Sequence, residues 1–325
     1  MANYLVTGAA GFIGARVAAL LLEQGHTVLG VDNLNDAYDV RMKAHRLDGL
    51  RDRDGFSFVK ADIRAREDVA ALKSGGPFDG VLNLAARAGV RASLENPWLY
   101  YDTNVTGTLN LLEFARTQEV PKFVLASTSS IYGEGAPLPT PEDADTSCPI
   151  QPYAASKKAA EVLGYSYHAL YGLDVTVFRY FTVYGPAGRP DMVMFRFIQW
   201  IAEGRAVRIN GDGEQTRGFT YVDDIARGTL QGLDPVGYEV FNLGGHENVK
   251  INQLLHMLES RLGKRAQVVF HPQHPADVSA NWADVGKADA QLNWVPQVSF
   301  EQGVDRTVAW YQAEREWASR IDTGE

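Results

Sequence analysis

Short apolar runs alternate along this chain with stretches whose apolar positions recur at helical spacing. Residues 3–7, Asn-Tyr-Leu-Val-Thr, form one such run and end in a glycine-rich turn. Phe12, Ile13, Val17, Leu20 and Leu21 then share one face of a helix over 12–24, which Gly25 stops. A second run, Thr-Val-Leu-Gly-Val-Asp, occupies 27–32, and others lie at 56–61, 79–84, 121–126 and 173–178. These runs are continuous rather than alternating, the pattern of strands buried on both faces. Strands separated by helices require crossover connections, so the pattern predicts an α/β fold built on a doubly wound parallel sheet.

The pattern changes after about residue 180. Loops rich in Gly and Pro appear at 185–190 and 210–218. Strand-like pieces at 206–209, 219–222 and 239–243 mingle with helices near 191–203, 223–233 and 251–262. The reading is of two parts. Residues 1–180 make the sheet domain, with parts of about 219–246 returning to it, and residues 181–325 make a smaller, partly interleaved α/β lobe.

Composition narrows the function classes. Apolar residues are 45% and charged residues 22% of the 325, ordinary for a globular chain. The net charge of −9 opposes binding along a phosphate backbone, so no nucleic-acid partner is expected. The single cysteine, Cys148, allows neither an internal disulfide nor a cysteine zinc site and suits a reducing compartment. His271 and His274 lack a third ligand at metal spacing, so no metal is expected. No apolar run reaches the ~18 residues of a membrane span. Met-Ala-Asn-Tyr-Leu-Val-Thr-Gly enters a strand at once and leaves no room for a leader. A cytoplasmic protein without a membrane partner is the expectation.

The first turn carries candidate chemistry. Gly8, Gly11 and Gly14 lie between the first strand and the first helix. There Gly8 permits a tight turn, Gly11 lets backbone approach a pyrophosphate, and Gly14 lets helix pack on strand. The helix N-terminus offers free N–H groups to the anion. Asp32 ends the second strand, where a carboxylate accepts from the adenosine ribose hydroxyls and repels a 2′-phosphate, selecting NAD over NADP. Asp62 and Ile63, after the third strand, are candidates to border the adenine.

A second cluster follows the fifth strand, in Ala126-Ser127-Thr128-Ser129-Ser130-Ile131-Tyr132-Gly133 and Tyr153-Ala-Ala-Ser-Lys157. On a helix, Tyr153 and Lys157 share a face. A phenol titrates near ~10, and a neighbouring cation lowers such a value by about 1–3 units. Tyr153 beside Lys157 and an oxidised nicotinamide is therefore a candidate general base, with Thr128 placed to hold the substrate oxygen.

Taken together, Thr7-Gly8-x-x-Gly11-Phe12-Ile13-Gly14, Leu84-Ala85-Ala86, Thr128-Ser129-Ser130-Ile131-Tyr132-Gly133 and Tyr153-x-x-x-Lys157 resemble the extended short-chain dehydrogenase/reductases, specifically the nucleotide-sugar epimerases. The resemblance runs from residue 3 to about 310. Four stretches are similar more narrowly to UDP-glucuronate 4-epimerases: Ala88-Gly-Val-Arg91, Arg179-Tyr-Phe-Thr182-Val-Tyr-Gly-Pro186, Gly188-Arg189-Pro-Asp191-Met192 and Thr216-Arg217-Gly-Phe-Thr-Tyr-Val-Asp-Asp224.

The resemblance implies a Rossmann-type sheet domain with a UDP-sugar lobe, tightly held NAD, and C4 epimerisation through a 4-keto sugar. Tyr153 is implied as base, Lys157 as the holder of the nicotinamide ribose, and Thr128, Ser129 and Ser130 as the groups around O4. Gly8, Gly11, Phe12, Ile13, Gly14, Asp32, Asn33, Asp62, Ile63, Leu84, Ala85 and Ala86 are implied for the cofactor. Arg91, Thr128, Thr182, Arg189, Arg217 and Asp277 are implied for the substrate, and a homodimer is implied through helices over 97–118 and 153–171. Thr182 stands where relatives for neutral hexoses have Asn, and Thr182 with Arg189 suits a carboxylate. Decarboxylating relatives carry Glu where this chain has Ser130. Two positions depart from the pattern: Ala187 replaces an aromatic, and Ala276 replaces a glycine. The alternatives are an epimerase for neutral UDP-hexoses, a UDP-glucuronate decarboxylase and, outside enzymes, an NAD-binding sensor.

Overall fold

A computed structural model describes residues 1–245, 247–274 and 278–324. The strands are β1 (Asn3–Thr7), β2 (Thr27–Asp32), β3 (Phe56–Lys60), β4 (Gly80–Asn83), β5 (Lys122–Thr128), β6 (Asp174–Tyr180), β7 (Thr182–Tyr184), β8 (Ala206–Asn210), β9 (Thr216–Tyr221), β10 (Tyr238–Leu243), β11 (Asn248–Lys250), β12 (Gln267–His271) and β13 (Ala280–Asn281). Seven form one parallel sheet in the order β10-β6-β5-β4-β1-β2-β3. The order reverses between β1 and β4, which opens a crevice at the carboxyl ends of the strands, the usual ligand position in such sheets.

The inner apolar runs form strands because both faces are covered, whereas β3, at the sheet edge, leaves Ser57, Val59 and Lys60 exposed, against the expectation for the run 56–61. Leu5, Val6, Val81, Leu82 and Val124 are fully buried. On one face, α1 (Phe12–Glu23) lays Ala15, Ala18 and Ala19 against the sheet, small side chains that allow close approach. On the other, the helices Gly107–Thr117 and Pro152–Tyr171 contribute Leu111 and Ala160. β10 comes late in the chain yet pairs with β6 from Tyr238↔Val175 to Leu243↔Tyr180.

β7, β9, β11 and β13 form a second, mixed sheet, and β8 pairs with β12. Their core is aromatic, with Tyr184, Phe195, Trp200, Phe219, Phe300 and Tyr311. The helix α2 (Val40–Arg51) joins the two cores. Its Met42 lies in the aromatic core and its Leu50 in the core beneath the large sheet.

One element differs from the expectation. The helix over 97–118 is three pieces: Pro97–Tyr101, a π turn Asp102–Thr106 and Gly107–Thr117. A π turn inserts one residue without ending the helix, so the hydrophobic period barely registers it. Here it buries Asn104, whose amide oxygen accepts from Arg87 N–H (2.9 Å) and whose amide nitrogen donates to Arg87 O and Ser156 Oγ (both 3.0 Å). The segment after β4 is thereby tied to the helix Pro152–Tyr171. No described helix is long and apolar enough to cross a membrane.

Candidate active site

The glycine turn is backbone packed on backbone. Gly8 adopts φ +70°, and a Cβ there would lie 2.8 Å from Leu84 C and Ala85 N. A Cβ on Gly14 would lie 2.1 Å from Gly8 O, well inside contact distance. Gly11 N–H donates to Gly8 O at 2.8 Å and serves as N-cap of α1, with no side chain capping the first turn. An uncapped first turn keeps its N–H groups available to an anion. Phe12 and Ile13 open that turn half-buried. The Thr7 hydroxyl donates to Asn83 Oδ1 (2.9 Å) and accepts from Ala85 N–H (3.2 Å), which seats Leu84, Ala85 and Ala86 beside the turn.

Asp32, Asn33, Asp62 and Ile63 meet at the ends of β2 and β3. Asp32 is buried; its Oδ1 accepts from Leu34 N–H (2.8 Å) and from Lys43 Nζ (3.2 Å). Asn33 Nδ2 donates to Asp62 Oδ2 at 3.0 Å. The Arg64 guanidinium holds the Asp62 carboxyl down to about 2, so it is ionised at neutral pH. Ile63 is buried against Gly107. The cradle, the uncapped helix start and the strand-end carboxylates fit a dinucleotide. Lys43 was not singled out from the sequence, although its place in the buried stripe Met42, Arg46, Leu47 and Leu50 of α2 is a readable signal.

At the end of β5, Thr128 caps a 3-10 turn over Ser129–Tyr132, accepting from Ser130 N–H and donating to Ser130 Oγ, both at 3.2 Å. Ser129 Oγ accepts from Asn281 Nδ2 at 2.9 Å, a contact across 152 residues that no sequence pattern announces. Below, Ser127 Oγ donates to Glu161 (2.6 Å), and Arg179 forks onto the same carboxylate at 3.0 and 2.9 Å. These bonds fix the register of the helix Pro152–Tyr171 against β5, and with it Tyr153 and Lys157.

Burial pushes the Tyr153 phenol above its ordinary value, while the Thr128 hydroxyl and the Arg189 charge pull it back. The expected lowering by Lys157 is not found: Thr128 and Arg189 are the groups that pull the phenol down, and burial outweighs them. Lys157 is itself buried, which pushes its ammonium down to about 8 against the opposing charge of Glu161. At neutral pH the charged form still prevails. The Tyr100 ring meets Tyr153 edge-on, with centroids 6.1 Å apart.

The outer end of the site comes from separate segments. Thr182 starts β7 in register with Phe219 of β9. Arg189, expected with Thr182 to suit a substrate carboxylate, forks onto Asp191 at 3.1 and 2.6 Å, donates to Ala88 O at 3.4 Å and lies 5.7 Å from the Tyr38 ring. Burial works against both charges, yet the pairing holds Asp191 below the ordinary carboxylate range. The Asn210 amide oxygen accepts from both terminal nitrogens of Arg91 at 2.9 and 2.8 Å. Arg217 donates to Thr216 O (2.7 Å) and Ser279 O (3.5 Å), and Ser279 lines a cavity of about 230 Å³ together with Asn210, Gly211, Gln215 and the carboxylates Asp212 and Glu214. Asp277 lies outside the described residues. Among those residues, no group of three or more His, Cys, Asp or Glu is placed to hold a metal ion.

Comparison with known proteins places this geometry. The model of the NAD dependent epimerase/dehydratase family matches residues 4–244. The chain is 56% identical over 311 residues to a UDP-glucuronate 4-epimerase of Thermodesulfobacterium geofontis, covering 95% of this chain and 96% of that one. It superposes on the UDP-glucuronic acid 4-epimerase of Bacillus cereus solved with UDP-glucuronic acid and NAD (TM-score 0.89, 36% identity, 96% of this chain and 99% of that one). The UDP-glucose 4-epimerase of Thermotoga maritima solved with UDP-glucose is as similar in fold (TM-score 0.89, 35% identity, 96% and 99%).

Proposed function

As the chain belongs to the NAD dependent epimerase/dehydratase family, we propose that it is an NAD-dependent UDP-sugar 4-epimerase that interconverts UDP-glucuronate and UDP-galacturonate. The observation that carries this reading is that Tyr153 and the buried Lys157 share one helix that packs against the end of β5 and the turn capped by Thr128. The relative with 56% identity supports the acid sugar.

In this reading the glycine turn and Asp32 hold NAD, which when bound takes hydride from the sugar C4 and returns it. With the positive charge that bound NAD would add beside it, Tyr153 would take the 4-hydroxyl proton as hydride leaves C4, and C4–O4 becomes a carbonyl. Thr128 holds O4 in place during the transfer. Lys157 brings a positive charge to the same helix face and steadies the nicotinamide ribose. After the sugar turns over, C4 regains hydride on its other face and Tyr153 returns its proton to O4. General-base help of this kind contributes ~10²–10⁴-fold. Ser129, Ser130, Thr182 and Arg189 surround the sugar acid, while Arg91 and Arg217 serve the diphosphate end. A hydroxyl at Ser130 brings neither an acid/base group nor a like charge to the carboxylate, which favours epimerisation over loss of CO₂.

A neutral UDP-hexose is the second reading, favoured by the Asp191 carboxylate already filling the Arg189 fork. We also assign the sheet part (1–180, with returns from about 219–246) to NAD and residues 181–325 to the UDP-sugar. A cytoplasmic homodimer fits the exposed Trp98, Tyr101, Val162 and Tyr165 on the helices Pro97–Tyr101 and Pro152–Tyr171.

The test is incubation of purified protein with UDP-glucuronate, UDP-glucose or UDP-N-acetylglucosamine without added NAD, followed by anion-exchange separation. UDP-galacturonate with little UDP-pentose is expected. Turnover mainly of a neutral sugar overturns the substrate, and UDP-xylose as main product overturns epimerisation.

A further inference from the structure

Arg46 lies in the middle of α2, 7% exposed, and its guanidinium reaches four oxygens on three separate segments. Nε donates to Ala187 O (2.8 Å) and Nη2 to Gly188 O (3.0 Å). Nη1 donates to the Tyr38 hydroxyl (2.7 Å) and to Ala10 O (3.3 Å). The Tyr38 and Phe12 rings lie 5.4 and 5.8 Å from it. One side chain therefore joins the glycine turn, the entry to α2 and the turn before Arg189. Only the planar five-donor fork of arginine can do this; an ammonium is a single point.

The turn that Arg46 grips does not hold its shape for free. Gly188 N–H donates to Gly185 O at 3.1 Å, with Pro186 and Ala187 at the corners. Ala187 adopts φ +52°, a left-handed conformation that a side chain disfavours and that glycine or asparagine usually takes at this corner of a turn. Its carbonyl is the one that receives Arg46 Nε. Arg189 follows two residues later and packs on the same Tyr38 ring, at 5.7 Å against 5.4 Å for Arg46. The base of the strut is firm. Met42 and Leu50 anchor α2 in both cores, and His45 stacks 4.6 Å from Trp317.

We propose that Arg46 is a positioning residue: it clamps the Gly185–Gly188 turn to the glycine turn and so sets the place of Arg189 over the Tyr38 ring. The geometry of the sugar end is then fixed from the cofactor loop. This rests on the reading above only in giving Arg189 a part in turnover.

A double-mutant cycle of Arg46→Lys and Arg189→Ala tests it, with kcat and KM measured on whichever UDP-sugar the wild type converts. Bound NAD is released by denaturation and weighed by mass spectrometry in every variant. Each single change is expected to lower kcat/KM tenfold or more with NAD retained. The double variant is expected within threefold of Arg189→Ala alone. Multiplying losses overturn the proposal, as does wild-type kinetics in Arg46→Lys or an unaffected Arg189→Ala. Loss of bound NAD in Arg46→Lys also overturns it, since Arg46 would then serve the glycine turn alone. If Arg46→Lys does not fold, Tyr38→Phe, which removes one acceptor of the clamp, carries the same cycle with a threefold expected loss. A wild type that converts UDP-glucose instead of UDP-glucuronate overturns the reading above and the part it gives Arg189, whereas multiplying losses on UDP-glucuronate overturn the clamp alone.

Discussion

The cofactor end and the sugar end of this site reach their geometry by opposite means. At the cofactor end, side chains are missing where they would collide: a Cβ on Gly14 would stand 2.1 Å from Gly8 O. At the sugar end, charged side chains are fixed on one another, as with Arg189 on Asp191 and Arg46 on the carbonyls of Ala187 and Gly188. There a Cβ is even kept at a left-handed position, Ala187. Backbone packing leaves no tolerance, because the colliding atoms are backbone atoms of the turn between β1 and α1 and of the segment after β4. Paired side chains leave room for change, since a hydroxyl or a charge can be altered without moving the chain. The difference fits a site that keeps one cofactor while its relatives act on different sugars.

Substitutions at the two ends sharpen this contrast. Gly14→Ala puts a methyl into backbone, so the first turn of α1 must move off the strand. Protein purified from this variant is expected to carry less than a tenth of the wild-type NAD, measured on the denatured protein. Full NAD content would break the account of the glycine turn. Tyr153→Phe, where the two ends meet, should keep fold and bound NAD while kcat drops by ~10²–10⁴-fold. A variant retaining more than a tenth of kcat would remove Tyr153 from the base role. Arg189→Ala has the smallest expected effect. A charged hydrogen bond contributes ~1.5–3 kcal/mol, so kcat/KM for UDP-glucuronate should fall roughly tenfold or more, well beyond any loss on UDP-glucose. Equal losses on both sugars would deny Arg189 a part in reading the acid.

The contrast also explains what could be read from the sequence. β1 and β2 fall on the predicted 3–7 and 27–32, because a strand buried on both faces must be apolar throughout. The residues proposed to hold the cofactor come in short contiguous blocks, each at a strand end, so spacing locates them. The sugar end draws on residues far apart: Arg46 meets Ala187 across 141 positions and Asn281 meets Ser129 across 152. No period links such pairs. Asp191 was in view as part of a motif, but nothing in that motif says that it fills the Arg189 fork. The π turn at Asp102–Thr106 escaped because it interrupts the backbone without interrupting the apolar stripe.

The central claim is that one site removes hydride from C4 and returns it to the same carbon, with Tyr153 moving the proton. Its most direct test is conversion of UDP-glucuronate deuterated at C4, with no NAD added. The account predicts UDP-galacturonate that retains deuterium at C4, in ordinary water, from wild-type protein and none from Tyr153→Phe. Product that has exchanged its deuterium for solvent hydrogen, or conversion that depends on added NAD, would contradict it.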